Sequence, residues 1–417
     1  MLKKYLWAMF AACILTACSN DDMPEPIPND NSITILSYLI ADNNLNDDLL
    51  GNIGTMYDGL AKIKEPATLL IYWDGETSIN GNANHLLLRY VTDGKGNING
   101  KPALDLSSTL DEVLEIADIV KEYPSQISTD KQTMELVMRD MLAQAPTNKY
   151  GLIFGSHGSS WLNTIYTSRS FGQDGSKTDN TILLSEITDV LNTLGKTFEF
   201  ILFDACYMGT IEVCHEFRNI SNYLIVSAME VPAYGFPYES ILKDLHQGTI
   251  NHYQQACKTF IDFYTHEEQA WGTVALIDCK EIETLIAHIK SEITDHKDIL
   301  ANYEPYNLQD YGKKPGPYIA YDMAQFIQEI NDNQLPDSFQ NQLEKTVLYK
   351  GCVEKAIPSS HSIDVTNYCG LGIYIPVVHR PSWNEYFQTI DWYTASGWNE
   401  VNFEWDFYKE NSANILP

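Results

Sequence analysis

Six short apolar runs constrain the fold most: ITILSYLI (33–40), ATLLIYW (67–73), YGLIF (150–154), FEFILF (198–203), YLIVSA (223–228) and TVALI (273–277). Each has strand length and little polar alternation, the pattern of a parallel strand covered on both faces. Helical patterns lie between them. The clearest follows Ser128-Thr129-Asp130, residues that cap helix N-termini well. There Met134, Val137, Met138, Met141 and Leu142 fall on one stripe, and Pro146 comes after the helix end. Further helices are expected over 46–64 and 185–194. This alternation predicts an α/β fold with a mainly parallel central sheet. HLLLRYVTDGKGNING (85–100) reads instead as a strand with a Gly-rich turn, a hairpin at one side. Beyond residue 283 the pattern changes. LIAHIKSEI and QNQLEKTVLY look helical and GLGIYIPV (370–377) looks like a strand, so a main domain over 32–282 and a C-terminal α/β subdomain over 283–417 are expected.

The N-terminal segment reads as an export signal. Lys3 and Lys4 precede the apolar run YLWAMFAACILTAC, which is too short and wrongly flanked for a membrane span. Its end, Leu15-Thr16-Ala17-Cys18, resembles a bacterial lipobox. That resemblance implies a signal peptide over 1–17, cleavage before Cys18 and lipidation of its thiol. SNDDMPEPIPND follows and cannot bury a core, so residues 18–31 read as a tether. The expected location is the bacterial cell envelope, lipid-anchored at the outer membrane or cell surface. Charge fits a solvated exterior: 27 basic residues stand against 56 acidic ones, a net −29, with no basic patch for nucleic acid. Six cysteines remain outside the signal, namely Cys206, Cys214, Cys257, Cys279, Cys352 and Cys369. None has CxxC spacing, which argues against a zinc ribbon and leaves one or two disulfides open.

Several mechanisms find no support. There is no GxxxxGK[ST] phosphate loop, no HExxH and no GxSxG elbow. DNNLNDD (42–48) begins like a calcium loop but has Asp47 where Gly is needed and Ile53 where Glu is needed. No cofactor is therefore expected, and a calcium ion has no local motif.

What remains is a pair of stretches with one layout. In YGLIFGSHGSSW (150–161) an apolar strand ends at Ser156-His157-Gly158, and in FEFILFDACYMGTIEV (198–213) another ends at Asp204-Ala205-Cys206. Adjacent parallel strands bring His157 and Cys206 to one sheet edge, where open α/β sheets place their sites. A cysteine attacks as thiolate, which an imidazolium at His157 and the N-terminus of a helix after Cys206 both favour. His157 then supplies the proton to the leaving amine, while the backbone N–H groups of Gly158 and Cys206 face the developing oxyanion. The alternative for Asp204 is a helix N-cap. Glu230 reads equally as a surface carboxylate, Cys214 as core filler, and Trp161 as a packing lid.

SHGSSW and FDACYMG resemble the paired motifs of the clostripain family of cysteine peptidases, relatives of caspases, gingipains and legumain. ITILSYLIADNNL, VSAMEVPAYGFPY (226–238) and GLGIYIP match further family segments in order. The resemblance implies a caspase-like three-layer sandwich over 32–282. It also implies a His/Cys dyad without an obligatory third member, protein or peptide substrates, and cleavage after Arg or Lys. His157 matches the general acid/base, Cys206 the nucleophile, and Asp204 and Glu230 the acidic residues of the pocket for a basic side chain. Tyr207 departs from the family's usual Leu. The separation of His157 and Cys206 is close to the roughly 50 residues typical of caspases. Some relatives cut themselves between the two motifs, which makes Arg169 and Lys177 candidate self-cleavage sites. The alternative reading is a surface scaffold lipoprotein that has kept the fold and lost turnover. An acyl transferase of the same chemistry is a third.

Overall fold

The computed structural model describes residues 33–76, 84–104, 109–147, 149–162, 171–175, 180–266, 271–311, 319–353 and 367–403. The expected signal peptide, Cys18, the tether, Arg169 and Lys177 lie outside the described residues.

The strands are β1 (Thr34–Ala41), β2 (Ala67–Gly75), β3 (His85–Thr92), β4 (Asn97–Ile98), β5 (Lys101–Pro102), β6 (Asp118–Glu122), β7 (Tyr150–Gly155), β8 (Phe198–Asp204), β9 (Ser221–Val226), β10 (Thr273–Asp278), β11 (Tyr321–Asp322), β12 (Val347–Cys352) and β13 (Gly372–Ile373). Eleven of them form one sheet in the order β12-β10-β9-β8-β7-β1-β2-β3-β4-β5, with β6 also paired to β3. The five central strands, β2-β1-β7-β8-β9, run parallel. The expected hairpin at one side is β3 with β4. The apolar run at 273–277 is a correction: β10 is antiparallel to β9. An apolar run reports burial on both faces, not direction, and β10 is covered like the parallel strands. Two further expectations beyond 283 change. QNQLEKTVLY ends its helix at Thr346, and Val347 begins β12, which pairs with β10. GLGIYIPV contributes only the two-residue β13, paired with β11.

Side chains of one strand alternate between two cores. Leu36, Tyr38 and Ile40 of β1 join the apolar cluster on one face, and Ile35, Leu39 and Ala41 the cluster on the other. The first face is covered by helices that include Lys131–Gln144, Leu184–Thr193 and Cys279–Asp295, and the second by Asn46–Ala61, Tyr238–Gln247 and Ile250–Thr265. The chain is thus a three-layer α/β sandwich with a mainly parallel central sheet. The Lys131–Gln144 helix illustrates the local logic. The Asp130 side chain accepts from the N–H groups of Gln132 and Thr133, and Met134, Val137, Met138 and Met141 of the stripe are fully buried. Residues from both sides of 283 share the first cluster, for instance Phe203 and Ile211 with Phe326 and Leu371. Among the described residues no helix is long and apolar enough to cross a membrane.

Candidate active site

Gly155 of β7 is in register with Asp204 of β8, so both strands end at one level of the sheet. The next residues, Ser156-His157-Gly158 and Ala205-Cys206, therefore leave the sheet side by side. The Ser156 N–H donates to the Asp204 carbonyl, and its hydroxyl donates to Ile40 O at 2.8 Å, tying the turn to β1. His157 and Cys206, both half-buried, line one cleft of about 440 Å³. Gly158 shows how tightly the two turns pack. A Cβ there would stand 2.6 Å from the Cys206 carbonyl oxygen and 3.1 Å from the Ala205 Cβ, so this position admits glycine alone without movement. Its N–H makes no hydrogen bond to the described residues.

The chain around Cys206 corrects one expectation. The helix after Cys206 begins only at Ile211 and ends at Phe217, so its N-terminus does not adjoin the thiol. Met208 lies before it rather than on its stripe. Residues 205–210 instead form a turn and an extended stretch. Tyr207 takes a left-handed backbone, φ 62°, a conformation that costs a bulky residue about 1–3 kcal/mol. Its N–H bonds to Met229 O and its hydroxyl to Glu230, while Gly209 N–H bonds to Ser227 O. The extended backbone of β9's continuation thus captures the residues that a helix would otherwise take. The Cys206 thiol points to Val231 O, with Sγ 4.0 Å from it.

His157 has a partner that sequence reasoning missed. Its Nε2 lies 2.8 Å from Asn44 Oδ1. An amide oxygen only accepts, so Nε2 carries the proton in this arrangement. Asn44 stands just past β1, the strand beside β7, so the ADNNL segment at a neighbouring strand end was the available signal. Its neighbour Asn43 donates to Ile40 O and Gln173 O, which holds this loop against the segment 171–175. If Asn44 orients the imidazole, Asn44→Ala lowers kcat/KM about 10- to 100-fold, less than loss of the acid/base itself. It also shifts the acidic limb of the pH–rate profile, and Asn44→Asp, which keeps an acceptor, restores most of the rate. An unchanged profile in Asn44→Ala contradicts that role.

Asp204 is buried at the strand end and is not a helix cap. Its Oδ2 accepts from Tyr238 Oη at 2.8 Å, Phe236 N at 3.2 Å and Asn52 Nδ2 at 3.5 Å. Oδ1 takes none of these bonds, and Asp204 forms part of the cleft wall. Burial pushes the carboxyl up to about 6, against the opposing effect of the Tyr238 and Phe236 hydrogen bonds. Gly235, φ 77°, is required here because a Cβ would strike Asp204 Oδ2. Glu230 lines the same cleft, bound to Tyr207, and the remaining wall is largely apolar, with Leu45, Leu49, Val231 and Trp271. The structure thus brings His157, Gly158, Asp204, Cys206 and Glu230 to one cleft.

Trp161 faces away from it, stacked near Tyr386 and packed against Tyr374 and Phe387. Cys214 is core, as are Cys257, Cys279 and Cys369, and burial pushes all four thiols up. All six described cysteines are free thiols. No group of three or more His, Cys, Asp or Glu side chains among the described residues is placed to hold a metal ion.

Comparison with known proteins bears on the same region. A sequence model of the clostripain family matches residues 37–405. Clostripain of Hathewaya histolytica is 24% identical over 238 residues, 52% of this chain and 42% of that relative, so the match spans less than half of clostripain's length. The crystal structure of an inactive zymogen C11 protease from Parabacteroides distasonis is similar with a TM-score of 0.69 at 26% identity, covering 89% of this chain and 99% of the other. A secreted C11 cysteine protease from Bacteroides thetaiotaomicron, solved in complex with an irreversible peptide inhibitor, gives a TM-score of 0.70 at 23% identity, over 89% and 100% of the two chains. At that identity the likeness is one of fold.

Proposed function

The chain belongs to the clostripain family of cysteine peptidases, and on that premise we propose that Cys206 and His157 are its catalytic dyad and that it cleaves peptides after Arg or Lys. The observation that carries this reading is the register of β7 and β8, which delivers both side chains to one cleft. In the proposed reaction the Cys206 thiolate adds to the scissile carbonyl and the N–H groups of Gly158 and Cys206 receive the oxyanion. With Nε2–H held by Asn44, Nδ1 is the nitrogen that exchanges protons. It gives its proton to the departing amine as the C–N bond breaks and the thioester forms. Water then attacks the thioester, yielding its proton to the imidazole, and the thiolate leaves. No cofactor takes part, and calcium has no role in this reading.

Asp204 supplies the charge for a basic P1 side chain, with Glu230 beside it, and the apolar wall takes the alkyl stem. The pH dependence follows from the raised carboxyl. Near pH 8 Asp204 is ionised in the free enzyme, and below about 6 it becomes neutral. The ratio of kcat/KM for Arg at P1 to that for an uncharged isostere therefore falls as the pH drops through about 6. Asp204→Asn abolishes this trend and lowers the ratio about 10- to 100-fold at pH 8, in line with loss of a desolvated ion pair. A peptide library scanned at P1 with wild type, Asp204→Asn and Glu230→Gln measures this. A preference for uncharged P1 residues that survives Asp204→Asn sinks the specificity while leaving the dyad standing.

We further propose attachment to the cell envelope through a lipid on Cys18. The supporting observations are the lipobox-like segment and a similar protein described as secreted. Cys18→Ala is expected to move the protein from the membrane fraction to the soluble one, and an unchanged distribution contradicts the anchor.

A further inference from the structure

A second cavity, of about 230 Å³, opens behind the catalytic turns and shares no wall residue with the dyad cleft. Its floor is built from the continuation of both turns. Trp161 lies four residues past His157, and Glu212 lies six past Cys206 on the short helix Ile211–Phe217. The two stretches are joined beneath it, where Ser160 Oγ and Thr210 Oγ1 are 2.6 Å apart.

Two buried polar atoms in this wall have no hydrogen-bond partner. Glu212 is 1% exposed. Its Oε1 accepts from Tyr374 N at 2.8 Å, and the Thr210 hydroxyl and its own N–H also face the carboxylate, but Oε2 has no well-formed hydrogen bond. Trp161 is 3% exposed, and its indole Nε1–H donates to nothing. Unsatisfied buried groups cost about 1–3 kcal/mol each, more when charged, and a carboxylate is the most demanding of them. Two further carboxylates, Glu216 and Asp391, stand on the same wall, and no Lys or Arg does. The rings of Trp161 and Tyr386 are nearly parallel and stacked, 9° between planes and 6.1 Å between centroids, and both border the space. Carboxylates with no Lys or Arg among them, Glu216 having only His215 Nδ1 at 3.8 Å, set beside aromatic faces in a small cavity, are complementary to one chemistry. That is a positive charge on a slim alkyl stem, held by the carboxylates and by the negative face of an indole.

We propose that this cavity binds an organic cation, an ammonium or guanidinium group on a short alkyl chain, with Glu212 as its principal counter-charge. A free diamine and the basic side chain of a peptide both carry this group. Burial holds the Glu212 carboxyl up at about 7, and a bound cation stabilises its ionised form.

The test is calorimetric titration of the full chain at pH 8 in moderate salt with 1,5-diaminopentane, its uncharged counterpart 1,5-pentanediol, and a short lysine-containing peptide. One equivalent of the diamine binds saturably and the diol does not. If the peptide binds at the same site with higher affinity than the diamine, a basic side chain is the source, and if it does not, the free diamine is. Glu212→Gln weakens binding about tenfold or more. Should that variant fold poorly, the surface pair Glu216→Gln with Asp391→Asn weakens it severalfold and serves instead. The chain is titrated with an Arg ketone already attached to Cys206, which fills the dyad cleft and its Asp204 pocket, so the binding measured is that of the second cavity. No saturable heat up to about 10 mM ligand, equal binding of diamine and diol, or unchanged binding in the wall variants overturns the proposal.

Discussion

Cys206→Ala is expected to remove peptide hydrolysis by about 10⁴-fold or more, with the folded structure retained. The size of the effect follows from the mechanism: without the thiolate no thioester forms, and His157 and the oxyanion donors are left with a direct water attack that they do not position. Retention of the fold follows from location. Cys206 is half-buried at the rim of a cleft, packed against the core rather than within it, and its thiol makes a long contact to Val231 O. Its replacement removes one sulfur from a wet edge, where the large cavity penalties of a close-packed interior do not apply. Turnover of a peptide with Arg at P1, set beside the unfolding midpoint in denaturant, measures both halves. Hydrolysis equal to wild type assigns the chemistry elsewhere.

Gly158→Ala is expected to lower kcat about 10²- to 10³-fold, the range seen when one oxyanion donor is lost. The added methyl stands 2.6 Å from the Cys206 carbonyl oxygen, which is backbone and cannot swing aside as the tip of a flexible side chain does. Either the 157–159 turn or the 205–207 turn must shift. Each shift moves a proposed oxyanion donor, and the second moves the thiol as well. Overpacking of this kind costs about 1–3 kcal/mol of stability, too little to unfold a core of this size. KM changes far less than kcat, because the donors are used fully only as the oxyanion forms. A variant with normal kcat and a merely lower melting temperature shows that Gly158 serves packing alone.

Periodicity carried much of the fold. The β1, β2, β7 and β8 runs and the Met-rich helix after Asp130 are legible because burial on both faces, or along one stripe, leaves a local pattern. Strand direction leaves none. Val274, Ala275 and Leu276 are as apolar as a parallel strand because helices cover β10 on both faces, and only the connection length and the pairing with β9 decide its sense. The helix expected after Cys206 was misplaced for a related reason. Helical spacing of Met208, Ile211 and Cys214 is real, but hydrogen bonds from Tyr207 and Gly209 to Met229 and Ser227, residues distant in sequence, hold the backbone extended up to Thr210. Tertiary pairing overrides local propensity there, and the left-handed Tyr207 marks the strain.

The site was legible as two strand ends and no further. Motif pairs point to His157 and Cys206 because each terminates an apolar run. What surrounds them is non-local. Asn44 reaches His157 from the end of β1, 113 residues away in sequence. Tyr238 and Asn52 reach Asp204 from two different helices, and their bonds to Oδ2 are what turn an apparent cap into a buried carboxyl. The calcium-like segment at 42–48 has a use of its own: Asn43 and Asn44 fasten the loop and the histidine. Cys352 illustrates the converse limit, since nothing in its local sequence separates it from the buried thiols although it is half-exposed.

The most direct measurement is mass-spectrometric mapping of a peptidyl acyloxymethyl ketone with Arg at P1, added to wild type and to His157→Ala. One adduct, on Cys206 alone, formed quickly in wild type and at least about 100-fold more slowly without the imidazole, is the predicted result. Adducts spread over Cys352 and other thiols, or modification of Cys206 at the same rate in both proteins, contradict a dyad at the ends of β7 and β8.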